Sequence, residues 1–320
     1  MASVVLTDHA WADVEVERRI IESAGHHLVA QLATASEDQV DDVVAAAQPA
    51  AILTCWAPVS DRAIASAEPL RVVARMGVGL DNIGVAEATR RGVWVTNVPD
   101  YCVEEVSDHA IALALSWLRG VTQLDREVHA GVWNPGGARL ARLSALTAGI
   151  IGYGRIGRRT AEKLTGLGMR VLALPPRTSH PPPGPAALVP LPELLARSDV
   201  VILHVPLTPE THHLVDAAFL GRMKAGSVLV NVSRGPVVDT AALLAAVEHG
   251  PIGAAALDVV EGEPNPPREL LSRPNVIVTP HVAFSSTMSI LELRERACQE
   301  VVRVLAGEAP HHPCNEPRRD

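Results

Sequence analysis

Three side chains suited to acid–base and anion chemistry stand just past short apolar runs. Arg234 follows Val228–Asn231, Glu263 follows Ala254–Val259, and His281 follows Val276–Thr279. Arginine offers a planar fork of N–H donors to a carboxylate or a carbonyl. Histidine exchanges a proton near neutral pH, and a neighbouring carboxylate favours its protonated form. Each has a plainer alternative. One of thirteen histidines is more often only hydrogen-bonded, an Arg past a strand usually lies on the surface, and Glu-Pro usually makes a turn. Past the carboxyl ends of neighbouring strands of one parallel sheet, where α/β proteins bind ligands, the three can converge on one crevice.

Upstream lies Gly152-Tyr153-Gly154-Arg155-Ile156-Gly157, between the apolar run Ala148–Ile151 and the helical stretch Arg158–Leu167. In that strand–turn–helix setting the first glycine permits the tight turn, the second lets the backbone approach a pyrophosphate, and the third lets helix and strand pack closely. The helix N-terminus adds free N–H groups and partial positive charge. The acid that usually ends the second strand, about 20 residues on, holds the ribose 2′-hydroxyl. Here that region reads Ala173-Leu174-Pro175-Pro176-Arg177-Thr178-Ser179, and no carboxylate is present.

These sites need strands to carry them. Ser3–Thr7, Ala51–Thr54, Arg71–Ala74 and Val93–Thr96 read as strands, as do Ala148–Ile151, Arg170–Leu174, Val200–His204, Val228–Asn231, Ala254–Val259 and Val276–Thr279. Continuous apolar character suits strands covered on both faces, hence an α/β chain with two parallel sheets. Helical stretches include Asp41–Ala47, Val85–Arg91, Val103–Leu118 and Met288–Leu305. Breaks at Asn97–Asp100 and after Thr279–His281 suggest a middle domain inserted into a discontinuous outer one.

A length of 320 residues suits two domains, and 48% hydrophobic residues can build large cores. Twenty-eight basic against thirty-six acidic residues, a net charge of −8, argues against a nucleic-acid partner. No signal peptide is visible, and apolar stretches such as Ala110–Leu115 are too short to span a membrane. Cys55, Cys102, Cys298 and Cys314 form no Cys-x-x-Cys pair, so the expectation is a reducing cytoplasm with no disulfide framework. No metal site is expected either. The histidine pairs 26–27, 212–213 and 311–312 are adjacent, and adjacent side chains on a helix or strand point apart. Cys102 reads as a buried thiol, Trp133 as a cleft or packing residue, and Pro175–Pro190 as a stiff connector beyond its first residues.

The chain resembles the D-isomer-specific 2-hydroxyacid dehydrogenase family, in its branch close to the C-terminal-binding proteins. The resemblance covers nearly the whole length. It rests on Gly77-Val-Gly-Leu-Asp-Asn82, Asn97-Val-Pro-Asp-Tyr-Cys-Val-Glu-Glu-Val-Ser-Asp-His109, the glycine loop, His204-Val-Pro-Leu-Thr-Pro209, Val232-Ser-Arg-Gly235, Glu263-Pro264 and Thr279-Pro-His281. It implies a Rossmann cofactor domain (100–284) inserted into a discontinuous flavodoxin-like substrate domain (1–99 and 285–320). It further implies that Arg234, Glu263 and His281 are catalytic, with His281 the acid/base in hydride transfer to a small 2-keto acid, or from a D-2-hydroxy acid. Implied cofactor contacts are Gly152–Gly157, Arg177, Thr178, His204, Val205, Pro206, Val232, Ser233, Arg234, Asp258 and His281, with Asp258 facing the nicotinamide carboxamide. Substrate contacts are Val78, Gly79, Arg234 and His281.

NAD(P) is the implied cofactor. Arg177, Thr178 and Ser179 resemble the phosphate-binding stretch of NADPH-using glyoxylate and hydroxypyruvate reductases, which favours NADP(H). The alternative is that Arg177 merely opens the Pro-rich loop and either cofactor serves. A homodimer is expected, because Val103–Leu118 is apolar nearly all round and the family's dimers use this helix. Two other functions fit the resemblance: a cofactor-sensing scaffold that binds partner peptides, or oxidation of another small anion such as formate or phosphite. Phe284-Ser285-Ser286, where the branch commonly carries a bulky aromatic nearby, and a shortened segment at 250–253 bear on substrate choice.

Overall fold

The computed structural model describes residues 1–30, 35–138, 140–176 and 183–317. Arg177 and Thr178 lie outside the described residues. By internal contacts the chain divides into two compact units, Met1–Tyr101 with Ser286–Asp320, and Cys102–Ser285.

The first unit alternates strand and helix: β1 (Ser3–Leu6), α1 (Glu15–Ser23), β2 (His27–Ala30), α2 (Glu37–Ala47), β3 (Ala51–Thr54), α3 (Asp61–Ser66), β4 (Val72–Arg75), α4 (Val85–Arg90) and β5 (Trp94–Thr96). Its sheet is parallel, in the order β2-β1-β3-β4-β5, with Val5 opposite Val29 and Ile52. Every residue of β3 and β4 is buried, which is why these segments read as unbroken runs rather than alternating ones. Ser36 opens α2 with a capping box to Gln39, and the Ser60 hydroxyl accepts from Ala63 N–H at the start of α3.

The second unit begins with two helices, α5 (Val103–Leu118) and α6 (Val121–His129). There follow β6 (Thr147–Ile151), α7 (Arg155–Gly166), β7 (Arg170–Ala173), β8 (Ala187–Leu188), α8 (Leu191–Arg197) and β9 (Val200–Leu203). The rest is α9 (Ala217–Arg222), β10 (Val228–Asn231), α10 (Thr240–His249), β11 (Ala254–Leu257), α11 (Arg268–Leu271) and β12 (Val276–Val278). The seven strands are parallel, in the order β12-β11-β10-β9-β6-β7-β8. Successive strands run outward from β6 to β8, then the chain crosses back to β9 on the other side of β6. Ile151 pairs with Leu203 at that reversal. Open α/β sheets bind ligands beyond the carboxyl ends of the strands at such a point. Ile151, Leu203, Leu229 and Leu257 join one buried cluster beneath it.

The last helix, α12 (Thr287–Leu305), returns to the first unit and packs on α1. Its Arg294 guanidinium donates to both carboxylate oxygens of the fully buried Glu17, at 2.7 Å each. No helix among the described residues is long and apolar enough to cross a membrane. The four cysteines are free, and Cys102 is buried as expected.

Candidate active site

The glycine loop leaves β6 at the β6–β9 reversal. Gly152 turns the chain with a φ of 101°, and a Cβ there would lie 2.4 Å from the backbone carbonyl of His204, so only glycine fits. A Cβ on Gly154 would meet nothing within 4 Å. That open side faces away from the protein's own backbone, at the N-terminus of α7, which no side chain caps. The residues therefore fit a dinucleotide pyrophosphate approached by backbone alone. Tyr153 is buried, and its phenol oxygen accepts the N–H of Ala186 at 3.3 Å, so this side chain is committed to the fold. The His204 ring shares a 3.0 Å hydrogen bond with the Thr160 hydroxyl, and burial pushes its pKa down to about 3, so the imidazole is neutral. Val205 and Pro206 continue past β9, and Val232 and Ser233 past β10.

Arg234 sits in a turn built by Asn231. The Asn231 carboxamide donates to the Arg234 carbonyl at 2.9 Å and accepts from Ser233 N–H and Oγ at 3.0 and 2.8 Å. At the next residue, Gly235, a Cβ would stand 2.3 Å from the Val260 carbonyl carbon. This close approach draws the Arg234 turn onto the turn that carries Glu263. Glu263 Oε2 accepts Val260 N–H at 3.2 Å, while Oε1 meets His281 Nδ1 at 2.7 Å. Partial burial opposes the Glu263 charge. The hydrogen bond and charge of His281, the Val260 N–H and the Arg234 charge outweigh it, and hold the carboxyl below its ordinary range.

His281 occupies the left-handed region at φ 53°, which for a non-glycine residue stores strain of about 1–3 kcal/mol. Asp258 holds it there. The Asp258 carboxylate, buried to 2% exposure, accepts the Thr279 hydroxyl at 2.6 Å and the Val282 and Ala283 N–H groups at 2.9 and 2.8 Å. The Asp258 carbonyl takes His281 N–H at 2.8 Å. His109, on α5, completes the network through Thr279 Oγ1 at 2.9 Å. His109 and Thr279 carry no motif of their own; only their places in the segments ending at His109 and His281 marked them.

In the other unit, Val78 and Gly79 lie past β4. Their carbonyls are held from behind, by the Asn97 carboxamide at 2.7 Å and the Arg75 guanidinium at 3.0 Å. Among the described residues neither N–H donates a hydrogen bond. Trp133, 82% exposed, packs against little in its own unit.

One adjacent histidine pair departs from expectation. His213 is left-handed, φ 51°, so the His212 and His213 rings do not point apart; they stack with centroids 4.1 Å apart. His213 Nε2 lies 2.7 Å from Glu261 Oε1.

Residues 111–283 match the family model described as "D-isomer specific 2-hydroxyacid dehydrogenase, NAD binding domain". The chain is 40% identical over 266 residues to a glyoxylate reductase of Korarchaeum cryptofilum, spanning 81% of this chain and 80% of that protein. The chain belongs to this family. Among solved structures, an NADPH-dependent glyoxylate/hydroxypyruvate reductase from Sinorhizobium meliloti is similar at TM-score 0.84 and 30% identity, over the whole of both chains. A D-lactate dehydrogenase from Aquifex aeolicus, complexed with NAD and lactic acid, is similar at 0.87 and 27%, over 98% of this chain and all of that one. The protein is thus a nicotinamide-dependent oxidoreductase of the D-2-hydroxyacid dehydrogenase, or 2-keto-acid reductase, class.

Proposed function

We propose that this dehydrogenase reduces a small 2-keto acid of the glyoxylate kind, with Arg234, Glu263 and His281 as its catalytic residues and His281 as the acid. The observation that carries the reading is the 2.7 Å His281–Glu263 pair, set in a strained turn past two neighbouring strands. With Nδ1 engaged by Glu263, Nε2 is the nitrogen that gives its proton to the forming alkoxide. Glu263, ionised at neutral pH, favours the imidazolium form and fixes the ring. Arg234 binds the keto oxygen and the carboxylate through its fork, polarising the carbonyl. The Val78 and Gly79 N–H groups, their carbonyls already held, are donors for the substrate carboxylate.

The nicotinamide supplies the hydride when bound. Gly152 to Gly157, His204, Val205, Pro206, Val232, Ser233 and Asp258 would hold it, those of the glycine loop by backbone. β7 ends at Ala173, and residues 174–176 contain no carboxylate, which removes both the ribose acceptor and the repulsion toward a 2′-phosphate. With Arg177 and Thr178 just beyond, the reading favours NADP(H). The exposed apolar side chains Val121, Val128, Val132 and Trp133 on and after α6 suit a homodimer, and four free cysteines suit the cytoplasm.

A screen of 2-keto acids against NADPH and NADH, following loss of reduced cofactor, tests this. Glyoxylate or hydroxypyruvate turned over with the higher kcat/KM for NADPH is expected, with that preference lost in Arg177→Ala. No turnover of any 2-keto acid overturns the reaction, and a wild-type preference for NADH overturns the cofactor assignment.

A further inference from the structure

His212 and His213 follow β9, Glu261 follows β11, and the fold brings them together on the surface of the second unit. One ligand atom from each, two imidazole nitrogens and a carboxylate oxygen, lie within 4.8 Å of one another. Among the described residues no other set of three or more such side chains does so.

Two further features prepare this cluster. The left-handed φ of His213, 51°, is an uncommon conformation for histidine, and it turns both rings to one side. The second oxygen of Glu261 accepts the N–H of Thr240 at 2.9 Å, where α10 begins. That bond orients the carboxylate from behind and leaves Oε1 to face His213, as outer-shell partners orient metal ligands.

We propose that His212, His213 and Glu261 form a binding site for a divalent transition-metal ion of the zinc class, with the fourth position open to water. Two imidazoles and one carboxylate are a donor set of three-ligand zinc sites, whereas calcium and magnesium take oxygen donors. Donors at about 2.1 Å from a tetrahedral ion stand about 3.4 Å apart, so His213 Nε2 and Glu261 Oε1 must separate by roughly 0.7 Å from their 2.7 Å contact. The hydrogen now between them leaves to solvent as the ion enters. Side chains that are 39% and 27% exposed have room for that shift. An ion held here ties the segment after β9 to the segment after β11, so binding stabilises the folded state by mass action.

The test titrates untagged, chelator-stripped enzyme with Co2+ and then Zn2+. One equivalent of Co2+ is expected to give the visible absorption of nitrogen-ligated, four- or five-coordinate cobalt. Zn2+ then displaces it and raises the melting temperature. His212→Ala keeps the His213–Glu261 hydrogen bond, so it is the variant certain to be informative; it should weaken Zn2+ affinity more than about 10-fold, the scale of losing even an outer-shell partner, and abolish the cobalt spectrum. Glu261→Gln should do the same, with metal-free melting curves confirming that both variants are folded. Absence of binding to wild type at micromolar metal overturns the proposal. So does a His212→Ala variant with wild-type affinity and spectrum, which would place the ion elsewhere.

Discussion

His281 and His213 are built on one local plan. Both are left-handed, at φ 53° and 51°, and both meet a glutamate oxygen at 2.7 Å. The two glutamates, Glu263 and Glu261, stand two residues apart in the turn after β11. The surroundings differ. A buried aspartate grips the loop of His281, and the charge of Arg234 reaches its glutamate. His213 has a second imidazole stacked on it, and its glutamate is fixed by the N–H at the start of α10. A His–Glu contact is thus not a function in itself. Beside a guanidinium and a nucleotide loop it suits proton transfer; beside another imidazole it suits a cation.

The largest expected effect separates the two histidines. His281→Ala should cut kcat/KM for keto-acid reduction by about 10²–10⁴-fold, with cofactor affinity, read by fluorescence titration, nearly intact. His213→Gln, assayed free of metal, should leave kcat/KM close to wild type. Comparable losses in both would erase the distinction between the pairs.

The next effect concerns what holds His281. Asp258→Asn gives the Thr279, Val282 and Ala283 donors one acceptor oxygen in place of two. It should cost about 1–3 kcal/mol of stability, the scale of an unsatisfied buried group, and lower kcat as the loop loosens. A melting temperature and kcat equal to wild type would show that the aspartate is not the clamp. Smaller again is Thr279→Val, which removes the hydroxyl that donates to Asp258 and bonds His109. A loss of about 0.5–1.5 kcal/mol is expected by denaturant titration, and none would mean that Asp258 and His109 are held by their other contacts.

The contrast also shows which features are legible from residue order. The glycine loop, Arg234, Glu263 and His281 each follow a strand written as an apolar run, so strand placement carries them to one sheet edge. α5 spans the predicted Val103–Leu118. The His212–His213–Glu261 cluster was illegible, because adjacent side chains point apart only on regular structure. A left-handed histidine leaves no mark such as a glycine in the chain. The Asp258–Thr279–His109 network was equally hidden, since it joins residues 170 and 21 positions apart. β2 is not legible in the sequence because its four residues, His27–Ala30, offer too little pattern at a sheet edge. α6, Val121–His129, is amphipathic but has no buried residue, so no core-facing stripe announced it.

The most direct test of the account is the pH dependence of kcat/KM for keto-acid reduction in wild type, Glu263→Gln and Glu261→Gln, all free of metal. Reduction needs the protonated acid, so kcat/KM falls as pH rises. The hydrogen bond and charge of His281 help hold the Glu263 carboxyl below its ordinary range, and that attraction is reciprocal, so without the carboxylate the protonated acid loses its partner. The fall should move to lower pH in Glu263→Gln and stay in place in Glu261→Gln. A profile unmoved in Glu263→Gln, or moved equally in both, would contradict the assignment of His281 and Glu263 as the acid pair.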